Sequence, residues 1–120
     1  IVRAYVPGAA ISRAVKDTNK GTVAHLRAPA ASVHRADELA RPMWIVFPKY
    51  TAGAAPQLAP VRRADAFMQL AENAFNYSVL RGRGFEALAG VVDRCASYTY
   101  TYSKLDDALA TFAALEAGPT

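Results

Sequence analysis

The residues able to do chemistry are few, and most lie in the first half of the chain. Asp17-Thr18-Asn19-Lys20-Gly21 is a short polar turn followed by Thr22-Val23-Ala24-His25. Its Lys-Gly-Thr order resembles the end of a phosphate-binding loop. A true G-x-x-x-x-G-K-[ST] loop opens a helix, however, whereas the residues after Lys20 read as a strand. Arg62 and Arg63 follow Pro60-Val61 at the start of a helical pattern. Arginine forks hold phosphate through planar multidentate hydrogen bonds, and a helix N-terminus adds positive partial charge. Asp65 in the first turn partly offsets that charge, and a surface basic pair is the plainer explanation.

Other constellations carry less. Arg81-Gly82-Arg83-Gly84 joins two helical patterns, so a terminating turn explains it better than a phosphate cradle. His25 and His34 are the two histidines and Cys95 the one cysteine, and no pair of them has metal-ligand spacing. A Cys95–His25 nucleophile has nothing to orient it. Asp106 and Asp107 suit the electrostatics of a helix N-terminus. Tyr98, Tyr100 and Tyr102 alternate with threonine along a strand. That face could stack bases, but packing under a helix is the commoner use, and no RNA-binding signature accompanies it.

The elements that must position these residues follow from periodicity. A chain of 120 residues is expected to form one domain with one core. Ile1 to Val6 follows a helical stripe stopped by Pro7-Gly8, and opening in mid-pattern points to a piece of a longer protein. Ala9–Ser12 and Thr22–Leu26 are expected as short strands, and residues 30–40 as a short helix or loop. Met43–Phe47 lies between Pro42 and Pro48 and is expected as a strand buried on both faces. Tyr50–Pro60 reads as an irregular connection with an edge strand near Gln57-Leu58.

Helices dominate thereafter. Arg63–Leu80 shows apolar three- and four-residue steps, with Gly82 or Gly84 as the stop, and a second helix spans Gly84–Arg94. Ser97–Ser103 is a strand. Ser103 is the expected N-cap of a last helix whose buried stripe would be Leu105, Leu109, Phe112 and Leu115. The class is α/β, or mixed α+β, with strands early and helices late.

Charge divides the chain. Residues 1–63 hold ten Lys/Arg and three Asp/Glu, and residues 64–120 hold four and seven, so a net +7 faces a net −3. A basic first half suits phosphates or an acidic partner, although no cationic block is long enough for a nucleic-acid tail. No apolar run approaches a membrane span. The chemistry of the residues alone therefore leaves open a non-enzymatic α+β module that binds a protein or acidic partner through its basic half.

A family resemblance sharpens this. Pro60-Val61-Arg62, with Glu72 in register and Asn76 one position early, resembles the late signature of HPr kinase/phosphorylases. Arg63-Ala64-Asp65-Ala66 replaces that signature's Pro-Gly-Arg-Asn, which leaves Arg62 to carry its phosphate role. Most of residues 1–116 resembles the HPr kinase-related kinase A family through Asp17-Thr18-x-Lys20-Gly21-Thr22-Val23-Ala24-His25-Leu26, Trp44-Ile45-Val46-Phe47-Pro48-x-Tyr50 and Leu70-Ala71-Glu72-Asn73-Ala74-Phe75-Asn76.

The resemblance implies the C-terminal portion of a P-loop, PEP carboxykinase-like core of an ATP-dependent protein-serine kinase-like protein. ATP and Mg²⁺ would be held by upstream residues, and this portion alone would be inactive. Lys20 and His25 would face the active-site side. Arg62, with Arg63, would contact phosphate or a neighbouring subunit. The implied partners are a small protein substrate and other copies of the chain in a cytoplasmic assembly, without nucleic acid or membrane.

Overall fold

The computed structural model describes residues 5–118. The chain divides into two compact units, Ile1–Ala40 and Arg41–Thr120. Among the described residues of the first unit none is buried. It holds an antiparallel pair, β1 (Val15–Thr18) and β2 (Gly21–Val23), and the five-residue helix α1 (Ala30–His34). The register of the pair is irregular between Val15 and Thr18. Asp17 absorbs the irregularity at φ 58°, a conformation that a short polar side chain tolerates better than most. The polar stretch expected as a simple turn is thus partly strand, and the tip is reduced to Asn19-Lys20. The strand expected over Thr22–Leu26 ends at Val23. Leu26 makes only an isolated bridge to Ile11, which is also all that forms of the expected Ala9–Ser12 strand. The helical stripe expected at the start begins at residues 1–4, outside the described residues.

The second unit is built on a three-stranded sheet. Its strands are β3 (Trp44–Tyr50), β4 (Gln57–Pro60) and β5 (Ala96–Tyr102), in the order β3-β5-β4. β5 runs parallel to β3, with Ile45 opposite Ser97, and antiparallel to β4, with Leu58 opposite Tyr100. β3 and β4 follow each other in sequence like a hairpin, and β5 is inserted between them. A parallel pair needs a long crossover. Here the crossover from β3 to β5 includes β4 and three helices: α2 (Arg63–Asn73), α3 (Tyr77–Leu80) and α4 (Gly82–Arg94). The last helix, α5 (Leu105–Ala117), follows β5. The sequence-based order, strands first and then helix-strand-helix, holds.

The alternation of side chains divides the sheet into two faces. On one, Ile45 packs with Ala66 of α2 and with Val92 and Cys95 at the end of α4; Phe47, Val61, Phe67, Leu70 and Val91 pack around them. The rings of Phe67 and Phe85, 5.1 Å apart, join α2 to α4. On the other face Tyr100 is 1% exposed. Its ring stacks on Tyr102 at 5.4 Å and meets Phe112 of α5 edge-on at 5.8 Å.

Five local expectations need correction. The Met43–Phe47 run is not a strand buried on both faces: β3 is an edge, it continues through Pro48 to Tyr50, and only Ile45 of it is buried. The Ala96 N–H donates to the Met43 carbonyl, and the Thr51 N–H donates to the Tyr102 carbonyl. Odd-numbered residues of β3 therefore bond to β5, while Trp44, Val46, Pro48 and Tyr50 turn their backbone groups to the open edge. A proline is tolerated there because the N–H it lacks would have no partner, and it keeps the edge from templating another strand. Pro48→Val is accordingly expected to restore an outward N–H and raise self-association, read as a concentration-dependent increase in mass by light scattering; an unchanged monomer fraction would contradict this role.

The helix expected over Arg63–Leu80 is two. α2 stops at Asn73, whose side-chain amide donates to the Gln69 carbonyl, and Ala74 is extended at ψ 111°. Asn73 and Asn76 favour such local bonding over continued helix. Phe75 and Val79, expected inside, are exposed. The break before α4 falls at Arg81, at φ 49°, rather than at either glycine. Gly84 lies inside α4, buried, where an added Cβ would sit 3.2 Å from both the Leu80 Cβ and the Tyr77 carbonyl. It therefore serves close approach rather than termination.

Ser103 is not the N-cap of α5. Its hydroxyl donates to the Ala54 carbonyl at 2.8 Å, tying down the loop after β3, and Lys104 takes the cap position without a side-chain cap bond. The buried line of α5 is rotated from the expected one. Ala108, Thr111 and Leu115 face inward, while Leu105, Leu109 and Phe112 stay 37%, 54% and 43% exposed. The bulk of Tyr100 decides this, because a fully buried ring beneath the helix leaves room for alanine and threonine above it. No helix among the described residues is long and apolar enough to cross a membrane.

Candidate functional site

The sequence-derived candidates fall into two groups. Lys20 and His25 belong to the first unit. Lys20 sits at the tip of the β1–β2 turn, where its backbone N–H donates to the Thr18 hydroxyl at 3.2 Å, and its side chain is exposed. That hydroxyl donates onward to the Gly21 carbonyl, so the turn's polar groups satisfy one another. His25 is held by its backbone: its N–H donates to the Ser12 hydroxyl at 2.9 Å, and its carbonyl accepts from the Ser12 N–H at 2.9 Å.

Arg62 and Arg63 lie together in the second unit, at the junction of β4 and α2. Pro60 ends β4, Val61 donates its N–H to the Ser97 carbonyl at 2.8 Å, and Arg62 is the N-cap residue of α2. The junction is thus anchored to the central strand. The Arg62 guanidinium donates from Nε to one Asp65 oxygen at 2.7 Å and from a terminal nitrogen to the other at 3.1 Å. A guanidinium can receive a phosphate in the same bidentate geometry. Arg63 makes a longer ion pair, 3.6 Å, with Asp93 of α4. Asp65 was legible in the sequence as a first-turn acid close to Arg62. Asp93 was not, because it reaches Arg63 only through the packing of α4 on α2.

The hydrogen bonds from Arg62, and secondarily its charge, hold the Asp65 carboxyl below its ordinary value; Asp65 in turn raises the Arg62 guanidinium. A depressed carboxyl pKa contributes stability that is present above the unfolded value, 3.8, and is lost as pH falls through the lower folded value. The Asp65 carboxyl carbon followed by NMR is therefore expected to titrate below pH 3.8 and to move up toward that value in Arg62→Ala. Identical titration in both proteins would show that the fork does not persist in solution.

The remaining candidates resolve into packing. Cys95 is buried in the core beside Val92, which makes it a packing residue. Tyr100 is buried under α5, as the packing explanation of the tyrosine stripe requires. Asp106 and Asp107 occupy the first turn of α5. Among the described residues no group of three or more His, Cys, Asp and Glu is placed to hold a metal ion.

One feature of this unit had no local signal in the sequence. Beneath α5 the tyrosine face leaves an apolar groove of about 520 Å³, lined by Trp44, Leu58, Tyr98, Thr111 and Leu115, among others. Only the strand order β3-β5-β4 brings Trp44, Leu58 and Tyr98 side by side. Compared with protein-family models, with curated proteins and with solved structures, the chain shows no significant match.

Proposed function

We propose that this chain is the C-terminal portion of an HPr kinase-related, ATP-dependent protein-serine kinase-like protein of the cytoplasm. In this reading, residues 1–120 supply sheet, helices and a phosphate-contacting arginine to a site whose nucleotide cradle lies upstream. The supporting observation is the position of Arg62, the residue that the resemblance places in a phosphate signature. It stands at a strand-to-helix junction, where the first backbone N–H groups of α2 add positive partial charge. The parallel pairing of β3 and β5 across helices also suits a kinase core of α/β type.

The residues present do not by themselves compose a magnesium–nucleotide site. No glycine-rich loop opens a helix after a strand, and no acidic cluster is placed for a cation among the described residues. Phosphoryl transfer depends on positioned cations around the transferred group, so it would rest on residues of the longer protein. What this portion can do is present Arg62, provided the incoming phosphate displaces Asp65 from the fork. Arg63, Lys20 and His25 remain secondary candidates for phosphate or subunit contact, and a small protein substrate is the proposed partner.

Calorimetric titration of the complete reading-frame product with MgATP tests this. Saturable binding, weakened about tenfold in Arg62→Ala through loss of a charge-assisted bond, is the expected result. Binding of an acidic protein by residues 1–120 alone, indifferent to nucleotide and to Arg62→Ala, would instead favour a non-enzymatic binding module.

A further inference from the structure

The hydrogen bond from the Ala96 N–H to the Met43 carbonyl, 3.1 Å, fixes more than the start of the sheet. It brings Arg41, two residues before Met43, and Arg94, two residues before Ala96, to the same end of the sheet. Both line one hollow of about 940 Å³, with Pro42 and Met43 contributing to its wall. Both are exposed, and neither is in an ion pair among the described residues. Arg35, Arg62 and Arg63 contrast with them, each having its own carboxylate in Glu38, Asp65 and Asp93. The acid next to Arg94 in sequence, Asp93, is the one that pairs with Arg63 at 3.6 Å.

The negative end of α4 accounts for Arg94, which lies in its last turn. It does not account for Arg41, which lies on no helix. No acid lies in the described wall of the hollow. Two arginines lining one hollow carry more N–H donors than one carboxylate has lone pairs to accept. A phosphate group brings three acceptor oxygens and nearly two charges, enough for both forks.

We propose that Arg41 and Arg94 form a binding site for a phosphate group, separate from the α2 junction. The proposal does not depend on the kinase-like reading. Its ligand is either free phosphate or a phosphorylated side chain.

The test titrates the full chain with inorganic phosphate, with a short phosphoserine peptide and with the unphosphorylated peptide, following the arginine Nε–H signals by NMR. Saturable shifts at Arg41 and Arg94 are expected, without matching shifts at Arg81 or Arg83. Affinity should fall about tenfold in each of Arg41→Gln and Arg94→Gln, the scale of one lost charge-assisted bond, and should weaken with salt. A phosphopeptide that binds more tightly than inorganic phosphate identifies a phosphorylated side chain as the ligand; one no tighter identifies free phosphate. Equal shifts at Arg81 and Arg83, unsaturable shifts, or unchanged affinity in both glutamine variants would overturn the proposal. Both positions are exposed, and preserved amide dispersion in the variants excludes loss of fold as the cause.

Discussion

Tyr100→Ala is expected to cost about 3–5 kcal/mol, the range for deleting a large buried aromatic side chain. Tyr100 is the largest fully buried side chain among the described residues, and it lies on the central strand. Its removal opens a cavity beneath α5 and takes away both ring partners, Tyr102 and Phe112. It also leaves Thr111 one bond short. The Tyr100 and Thr111 hydroxyls are 3.1 Å apart, and Thr111 donates its own proton to the Asp107 carbonyl at 2.8 Å. Tyr100 is therefore the donor in the pair. Tyr100→Phe should cost only about 0.5–1.5 kcal/mol, the net value of one intramolecular hydrogen bond. Urea denaturation of the three proteins measures both differences. A loss below about 1 kcal/mol for Tyr100→Ala, well under the cavity range, would mean that α5 does not cover this face.

Ile45→Ala tests the opposite face. Ile45 stands on the edge strand, yet it is buried among Ala66, Val92 and Cys95. The expected cost is about 2–5 kcal/mol, toward the lower end if Phe47 and Leu70 relax into the space. Small domains have total stabilities of about 5–15 kcal/mol. The double variant Ile45→Ala with Tyr100→Ala is therefore expected to be largely unfolded at 25 °C by circular dichroism. The two sites lie on opposite faces of the sheet, so their costs should add closely. A folded, cooperative double variant would contradict the placement of β5 between two covered faces.

The parts of this fold that were legible from the residues share one property: their signals are local. The Ser-Tyr-Thr alternation gave β5, the acids at Asp106 and Asp107 marked the start of α5, and the turn chemistry around residues 51–56 led to β4 at the place expected. What was not legible depended on partners distant in sequence. The apolar run Met43–Phe47 suggests burial on both faces, but β3 has its neighbour β5 on one side alone, and Pro48 is acceptable for that reason. The helix after Arg62 looks continuous through Leu80 because Phe75 and Val79 keep the period. The extended backbone at Ala74 ends the helix and leaves both side chains outside. The inward line of α5 was set by the ring below it, which no pattern within α5 could reveal.

The same distinction governs the site. Arg62 and Asp65 are three residues apart, so their opposition was visible in the sequence, although not the bidentate geometry of their ion pair. The Arg63–Asp93 pair and the Arg41–Arg94 hollow arise from helix packing and strand register. The net +7 of residues 1–63 marked this half as basic without saying which cations are internally matched. Exposed ion pairs contribute little to stability. Under the proposed function, the Arg62–Asp65 fork matters because it occupies the guanidinium that a phosphate would have to claim.

The kinase-like function proposed above requires a nucleotide loop outside residues 1–120. Determining the coding sequence upstream tests it most directly. The account predicts a strand pattern followed by G-x-x-x-x-G-K-[ST] opening a helix in the same reading frame. A start codon immediately before Ile1 would contradict it.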